Sequence, residues 1–173
     1  MIYDNYLNTV RQQLNIPRPE LWNFKSNFEY RGILEHVSLD QGIQYLNLAS
    51  QKVDLNDFIE IFAKNDLYGK PIKENLGFSG FESVSPTNAR YLHHALLIKE
   101  HYEKYNTKNI IEIGGGYGGL CIFLKSLIDC NYSIFDLPEV MNLQEKYLSA
   151  HKVSCNFLDF TSELPEDFFL VSN

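Results

Sequence analysis

A glycine-rich stretch, Asn109-Ile-Ile-Glu-Ile-Gly-Gly-Gly-Tyr-Gly-Gly-Leu120, carries the clearest chemical signal in this sequence. Its first half, Ile110 to Ile113, is rich in β-branched residues and predicts a strand buried on both faces of a parallel sheet. The three glycines that follow allow a backbone path that side chains would block. The apolar run from Leu120 to Ile128 predicts a helix. A strand, a tight turn and a helix N-terminus together form a site where a cofactor approaches bare backbone.

Two cofactors fit this turn. The pattern G-x-G-x-x-G beginning at Gly114 is the fingerprint of NAD-binding proteins, and E-x-G-x-G-x-G beginning at Glu112 is that of class I S-adenosylmethionine (SAM) methyltransferases. The acid favours SAM, because a carboxylate pairs with its cationic amino-acid end and repels a pyrophosphate. No Lys or Arg between Lys108 and Lys125 offsets that repulsion. A turn that only packs helix on strand is the third interpretation.

An acid follows the next predicted strand, Tyr132 to Asp136, and a helix is predicted from Leu137 to Leu148. Asp136 lies about 20 residues beyond the glycines, which is the spacing at which a carboxylate binds the hydroxyl groups of a ribose in such folds. The alternative is a D-x-x-E capping box formed by Asp136 and Glu139 at the start of the helix. The two roles are compatible with each other.

A third strand, Val153 to Leu158, is predicted to end at Asp159-Phe160. In a doubly wound sheet this strand end lies beside the second one, so Asp159 could accept a hydrogen bond from an adenine amino group and Phe160 could cover the ring. Equally, Asp159 could simply start a turn. A fourth strand is predicted from Asp167 to Asn173.

Four segments together resemble the successive motifs of SAM-dependent O-methyltransferases, and among these the chain is most similar to the sugar O-methyltransferase family. The segments are Ile111-Glu-Ile-Gly-Gly-Gly-Tyr-Gly-Gly, Phe135-Asp-Leu-Pro-Glu-Val, Leu158-Asp-Phe and Phe169-Leu-Val-Ser-Asn173. The stretch from Asn75 to Leu92 is similar to the segment that this family places before its glycine motif. The resemblance implies a Rossmann-like sheet, SAM as methyl donor, and a hydroxyl acceptor on a small molecule or saccharide.

The motif positions give the expected cofactor-binding residues, which are Glu112, Gly114, Gly115, Gly116, Tyr117, Gly118, Asp136, Leu137, Asp159 and Phe160. No metal site is expected, and no catalytic base is assigned. A complete methyltransferase of this type has a seven-stranded sheet, so the sequence is expected to be truncated after the fourth strand. The base would then lie beyond Asn173 in a complete homologue, and a second copy or a partner chain would supply the other half of the sheet.

Composition restricts the partners and the compartment. A net charge of −7, from 15 basic and 22 acidic residues, argues against nucleic acid or an anionic membrane as the main partner. The three cysteines form no C-x-x-C pair and fall near predicted core elements, which is typical of reduced thiols in a cytoplasmic protein.

The sequence therefore predicts an α/β protein in two parts. Residues 1–84 form a helical N-terminal region, and residues 85–173 form a partial Rossmann-like SAM-binding domain with about four parallel strands. The expected function is SAM-dependent methylation of a sugar hydroxyl. Two alternatives stay open: an NAD-dependent sugar oxidoreductase or epimerase, and a non-catalytic, truncated methyltransferase-fold binding protein.

Overall fold

The computed structural model describes residues 2–105 and 107–172. Contacts divide the chain into two compact units, an N-terminal unit of residues 1–94 and a C-terminal unit of residues 95–173. Within the described ranges, none of the helices combines the length and hydrophobicity needed to cross a bilayer.

The α-helices in chain order are α1 (Ile2–Leu14), α2 (Phe28–Leu34), α3 (Leu39–Ser50), α4 (Ile59–Asn65), α5 (Pro86–Tyr102), α6 (Gly119–Leu127) and α7 (Pro138–Ala150). Short 3-10 helices span Pro19–Leu21, Phe24–Ser26 and Leu55–Phe58. The strands are β1 (Asn109–Ile113), β2 (Asn131–Phe135), β3 (Asn156–Leu158) and β4 (Phe169–Ser172). The boundary between the two units falls within α5.

Side-chain caps begin the α-helices α2 and α3 of the N-terminal unit. Ser38 and Gln41 form a capping box at α3, in which each side chain bonds the other residue's backbone N–H. Asn27 caps α2 by accepting hydrogen bonds from two backbone N–H groups. The sequence interpretation missed α2, whose seven residues include a glycine and are too few to show a clear helical period.

Aromatic side chains fill the core of the N-terminal unit. Phe24 and Tyr30 are fully buried with ring centroids 5.2 Å apart, and Tyr6 lies 5.3 Å from Tyr30. Trp22, close to Phe24 in the sequence, is buried as well. Its indole N–H donates a hydrogen bond to the Ile16 carbonyl at 3.0 Å, so the one polar atom of this side chain is satisfied.

The C-terminal unit is built on a parallel sheet with the strand order β3-β2-β1-β4. Helices α6 and α7 connect successive neighbouring strands, which is the βαβ arrangement that parallel strands require. The predicted fold class is confirmed: the unit is α/β with four parallel strands, consistent with a Rossmann-like methyltransferase.

The two faces of this sheet differ in burial. Ile110, Glu112 and Ile134 alternate onto one face and are completely buried. On the other face Ile113 is 44% exposed and Leu170 is 55% exposed. Two apolar side chains of this second face therefore remain partly open to solvent.

Several predicted boundaries were wrong. The third strand begins at Asn156, because the Val153 N–H still bonds the Leu148 carbonyl at the end of α7, at 3.0 Å. The fourth strand begins at Phe169, and its predicted last residue, Asn173, lies outside the described residues.

Candidate functional site

The glycine turn follows β1 directly. Gly114, Gly116 and Gly118 have φ values of +74°, +60° and +90°, the left-handed region that other residues rarely adopt. The Gly114 N–H donates to the Phe135 carbonyl at 3.0 Å, and the Gly118 N–H donates to the Gly115 carbonyl at 2.8 Å. The turn is thus tied both to β2 and to itself, which fixes its shape.

The glycines differ in what surrounds them. Gly114 is exposed, and a Cβ atom added there would meet nothing within 4 Å. At Gly118 the added Cβ would lie 3.0 Å from Leu148 of α7. Gly118 therefore permits close packing of the α6 start against α7, whereas Gly114 leaves bare backbone facing open space, as a cofactor site requires.

The Glu112 carboxylate lies beneath this turn. The residue is fully buried, and its Oε2 accepts a hydrogen bond from the Tyr132 hydroxyl at 2.9 Å. A Cβ atom added to Gly115 would lie 3.0 Å from the same oxygen. Burial and the neighbouring carboxylate raise the pKa of Tyr132 well above its usual value, so the phenol stays protonated as the donor. The carboxylate supports the turn from inside the protein instead of reaching its surface.

Asp136 is half-buried at the end of β2, next to the turn. It accepts hydrogen bonds from the Leu137 N–H at 2.8 Å, from the Gln144 amide at 2.8 Å and from the Gly115 N–H. Burial raises the pKa of Asp136, and these three donors oppose that increase by stabilising the carboxylate. Asp136 thus reaches the glycine turn while part of its surface faces solvent.

The capping box predicted for Asp136 and Glu139 is not formed. The N-cap of α7 is Leu137, which has extended backbone angles and no side-chain hydrogen bond. Pro138 at the first helical position sets the helix start one residue later than the capping box requires. Asp136 is therefore not occupied with capping the helix.

The sequence interpretation missed Gln144. This residue lies on α7, is completely buried, and its amide donates to the Gly116 carbonyl at 2.9 Å as well as to Asp136. Gln144 therefore fixes the position of the Asp136 carboxylate relative to the turn. Its signal in the sequence was a polar residue on the apolar stripe formed by Val140, Leu143 and Tyr147.

The remaining predicted residues lie around the same strand ends. Phe160 is 96% exposed, and its ring stands edge-on to Phe135 with centroids 5.0 Å apart. Asp159 accepts hydrogen bonds from Thr161 and Ser162, which lower its pKa and form a turn. Both Asp159 and Phe160 line an apolar cavity of about 350 Å³ together with side chains of all four strands, among them Ile113.

Tyr117 and Leu137, two further residues predicted to bind the cofactor, differ in burial. The Tyr117 ring is fully buried against Tyr147, with centroids 5.1 Å apart, so it belongs to the packing of the turn. Leu137 is 41% exposed beside Asp136. The glycine turn follows Ile113 in the chain and Asp136 follows Phe135, and both Ile113 and Phe135 line the cavity. In the described parts of the chain, no three His, Cys, Asp or Glu side chains cluster as a metal site would need.

These elements define the class of protein: a parallel α/β sheet with an acid-x-glycine turn after its first strand and a second acid after the next strand. That class is the class I SAM-dependent methyltransferase. A family model described as "Lysine methyltransferase" matches residues 83–173, which is more than half of the chain. The chain belongs to this methyltransferase family. The match confirms the expected methyltransferase and does not confirm the sugar O-methyltransferase resemblance.

Comparison with curated proteins and with solved structures produced no significant match.

Proposed function

We propose that SAM binds at the carboxyl ends of β1, β2 and β3, with its methionine part over the turn and its adenosine in the 350 Å³ cavity. The observation that carries this proposal is Asp136, a half-buried carboxylate that is bonded to the turn itself and follows Phe135, a residue of the cavity wall. A carboxylate accepts hydrogen bonds from both hydroxyls of a ribose. Asp159 and Phe160 on the cavity wall suit an adenine amino group and ring face.

The charge around the turn supports SAM over NAD. Asp136 and Asp159 carry negative charge at the strand ends. Residues 109–124, which include the turn, contain no Lys or Arg. SAM is cationic at its sulfonium and ammonium groups, whereas a pyrophosphate would meet carboxylates with no cation to offset them. Glu112, buried beneath Gly115, contributes by holding the turn in shape, so we assign it a positioning role.

Bound SAM supplies an electrophilic methyl group to a nucleophile on the acceptor. The contribution of the chain is orientation: the turn and Asp136, joined through Gln144, fix one end of the donor, so the methyl group is presented in a single direction. Removal of the acceptor proton requires a base, and we assign this role to none of the described residues.

For the acceptor we favour a hydroxyl group of a saccharide. The support is the similarity of residues 75–92 and of the Phe135-to-Val140 motif to sugar O-methyltransferases. A lysine amine is the second candidate, because the matching family model carries the description lysine methyltransferase. A homo-oligomer, or a partner chain that completes the sheet, is part of the same proposal.

The experiment is methyl transfer from SAM with a deuterated methyl group to two acceptor panels, read by mass spectrometry. One panel contains mono- and oligosaccharides, and the other contains lysine-bearing peptides and proteins. Labelled saccharide, lost in the Asp136→Ala variant, would support the hydroxyl acceptor. Labelled lysine alone would refute it in favour of the amine. Binding of S-adenosylhomocysteine (SAH) with no transfer to either panel would refute the catalytic proposal in favour of a binding role.

A further inference from the structure

Two cysteines of the C-terminal unit, Cys121 and Cys155, lie in contact although they belong to different elements. Cys121 is in the first turn of α6, and Cys155 directly precedes β3. Their thiols are hydrogen-bonded to each other. Lys125, one turn after Cys121 on α6, donates to the Ser154 hydroxyl at 3.4 Å. Because residues four apart share a helix face, this second bond places the same face of α6 against the segment that carries Cys155.

The two sulfur atoms differ in their access to solvent. Cys121 is completely buried, whereas Cys155 is half-buried and its thiol also donates to the Asn156 carbonyl at 3.2 Å. The hydrogen bond to Cys155 and burial raise the pKa of Cys121 far above its usual range, so this group stays protonated. A dissolved oxidant therefore reaches Cys155 first, and Cys121 lies behind it, within reach of the same sulfur.

The third cysteine has different surroundings. Cys130 directly precedes β2 and is buried. Burial is the main cause that raises the pKa of Cys130, whereas for Cys121 the main cause is the hydrogen bond to Cys155. Cys130 thus serves as an internal control for reactions of the contacting pair.

We propose that Cys121 and Cys155 form a reversible disulfide by exchange with a small disulfide such as oxidised glutathione. The Cys155 thiolate attacks one sulfur of the small disulfide, forms a mixed disulfide and releases one thiolate. The Cys121 sulfur then attacks the Cys155 sulfur, which forms the bond within the protein and releases the second thiolate. The two cysteine protons end on the two released thiols, so the protein loses two hydrogen atoms while one small disulfide is reduced.

This bond would fasten α6 to the segment before β3. Helix α6 begins directly after the glycine turn, so the bond would restrain an element that positions the turn. It would also close a loop that contains β2 and α7, and a closed loop lowers the entropy of the unfolded chain. We therefore expect the oxidised chain to melt about 5 °C or more above the reduced chain. The assignment does not depend on which cofactor the turn binds.

The first test is oxidation of the full, folded chain with oxidised glutathione, followed by blocking of free thiols, tryptic digestion and mass spectrometry. Cleavage after Lys and Arg places the three cysteines in separate peptides, which are residues 109–125, 126–146 and 153–173. Because a disulfide requires neighbouring sulfur atoms, the crosslink of 109–125 to 153–173 should exceed each other pair by about tenfold or more. It should disappear on reduction with dithiothreitol. Glutathione adducts without this crosslink, or equal amounts of a crosslink to 126–146, would overturn the proposal.

The same reaction in concentrated urea separates the folded geometry from chance pairing. In an unfolded chain, Cys121 and Cys130 close the shortest loop of the three possible pairs and should therefore combine most readily. We expect the preferred crosslink to change from Cys121–Cys155 in the folded chain to Cys121–Cys130 in urea. An equal preference for Cys121–Cys155 in urea would show that the fold does not select this pair.

The second test uses Cys155→Ser, which removes the accessible sulfur of the pair, with Cys130→Ser as the matched control. Cys155→Ser should lose both the crosslink and the increase in melting temperature after oxidation, and Cys130→Ser should keep both. An oxidised wild type that melts no higher than the reduced chain would overturn the proposal. An equal increase in melting temperature in Cys155→Ser would do the same, because it would arise without the proposed bond.

Discussion

Substitution of Gly114 by alanine separates the role of this residue in the fold from its role in binding. The left-handed backbone at Gly114, with φ of +74°, makes any side chain unfavourable, and the cost in unfolding free energy is about 1–2 kcal/mol. The added methyl group meets no protein atom within 4 Å, so no clash adds to this cost. It would instead occupy the open space over the turn. We expect SAH affinity to fall at least tenfold, about 1.4 kcal/mol, measured by calorimetry.

Gly77→Ala is the matched control, because Gly77 has φ of +79° and equally open surroundings but lies in the N-terminal unit. Both variants should lose similar unfolding free energy in urea titrations, and only Gly114→Ala should lose SAH affinity. If Gly114→Ala binds SAH as tightly as the wild type and Gly77→Ala do, the space over the turn is not the cofactor site. That result would refute the reasoning from exposed backbone.

Three further predictions concern other parts of the chain. Gln144→Leu removes the amide that joins the Gly116 carbonyl to Asp136. We expect the unfolding free energy to fall by about 1–3 kcal/mol and SAH binding to weaken. A variant with unaltered stability would contradict the bridging role. Because burial lowers the pKa of Lys25 from 10.5 to about 8, the unfolded chain retains a proton between these pH values that the folded chain has released. The wild-type unfolding free energy should therefore rise by about 2–3 kcal/mol relative to Lys25→Met as the pH increases through that window, and parallel pH profiles would refute this. Gly32→Ala, in the exposed middle of α2 with nothing within 4 Å of the new Cβ, should stabilise the protein by about 0.5–1 kcal/mol; lower stability in thermal melts would show that α2 is strained there.

Local sequence patterns were sufficient to predict the sheet that carries the site. Ile110, Ile111 and Ile113 predicted a strand, and the glycines after them predicted a tight turn, because these features depend on residues adjacent in the chain. The acid after β2 could be placed for the same reason: parallel strands joined by helices end at one edge of the sheet.

Interactions between distant residues could not be predicted in this way. The 2.9 Å bond between Tyr132 and Glu112 depends on strand register, since Tyr132 pairs with Ile110 and its side chain shares the buried face with Glu112. Gln144 could be recognised as a polar residue on an apolar helix stripe, but its two partners follow only from how α7 packs. The start of β3 was misplaced because the bond from Val153 to Leu148 belongs to the helix end.

Calorimetric titration of the full chain with SAH, with NAD in parallel, tests the central claim most directly. The account predicts saturable binding of SAH, no binding of NAD, and a loss of SAH affinity of about 1–3 kcal/mol in Asp136→Ala. Binding of NAD without SAH would contradict the assignment of the turn to SAM. Equal SAH affinity in folded Asp136→Ala would remove this carboxylate from the cofactor site.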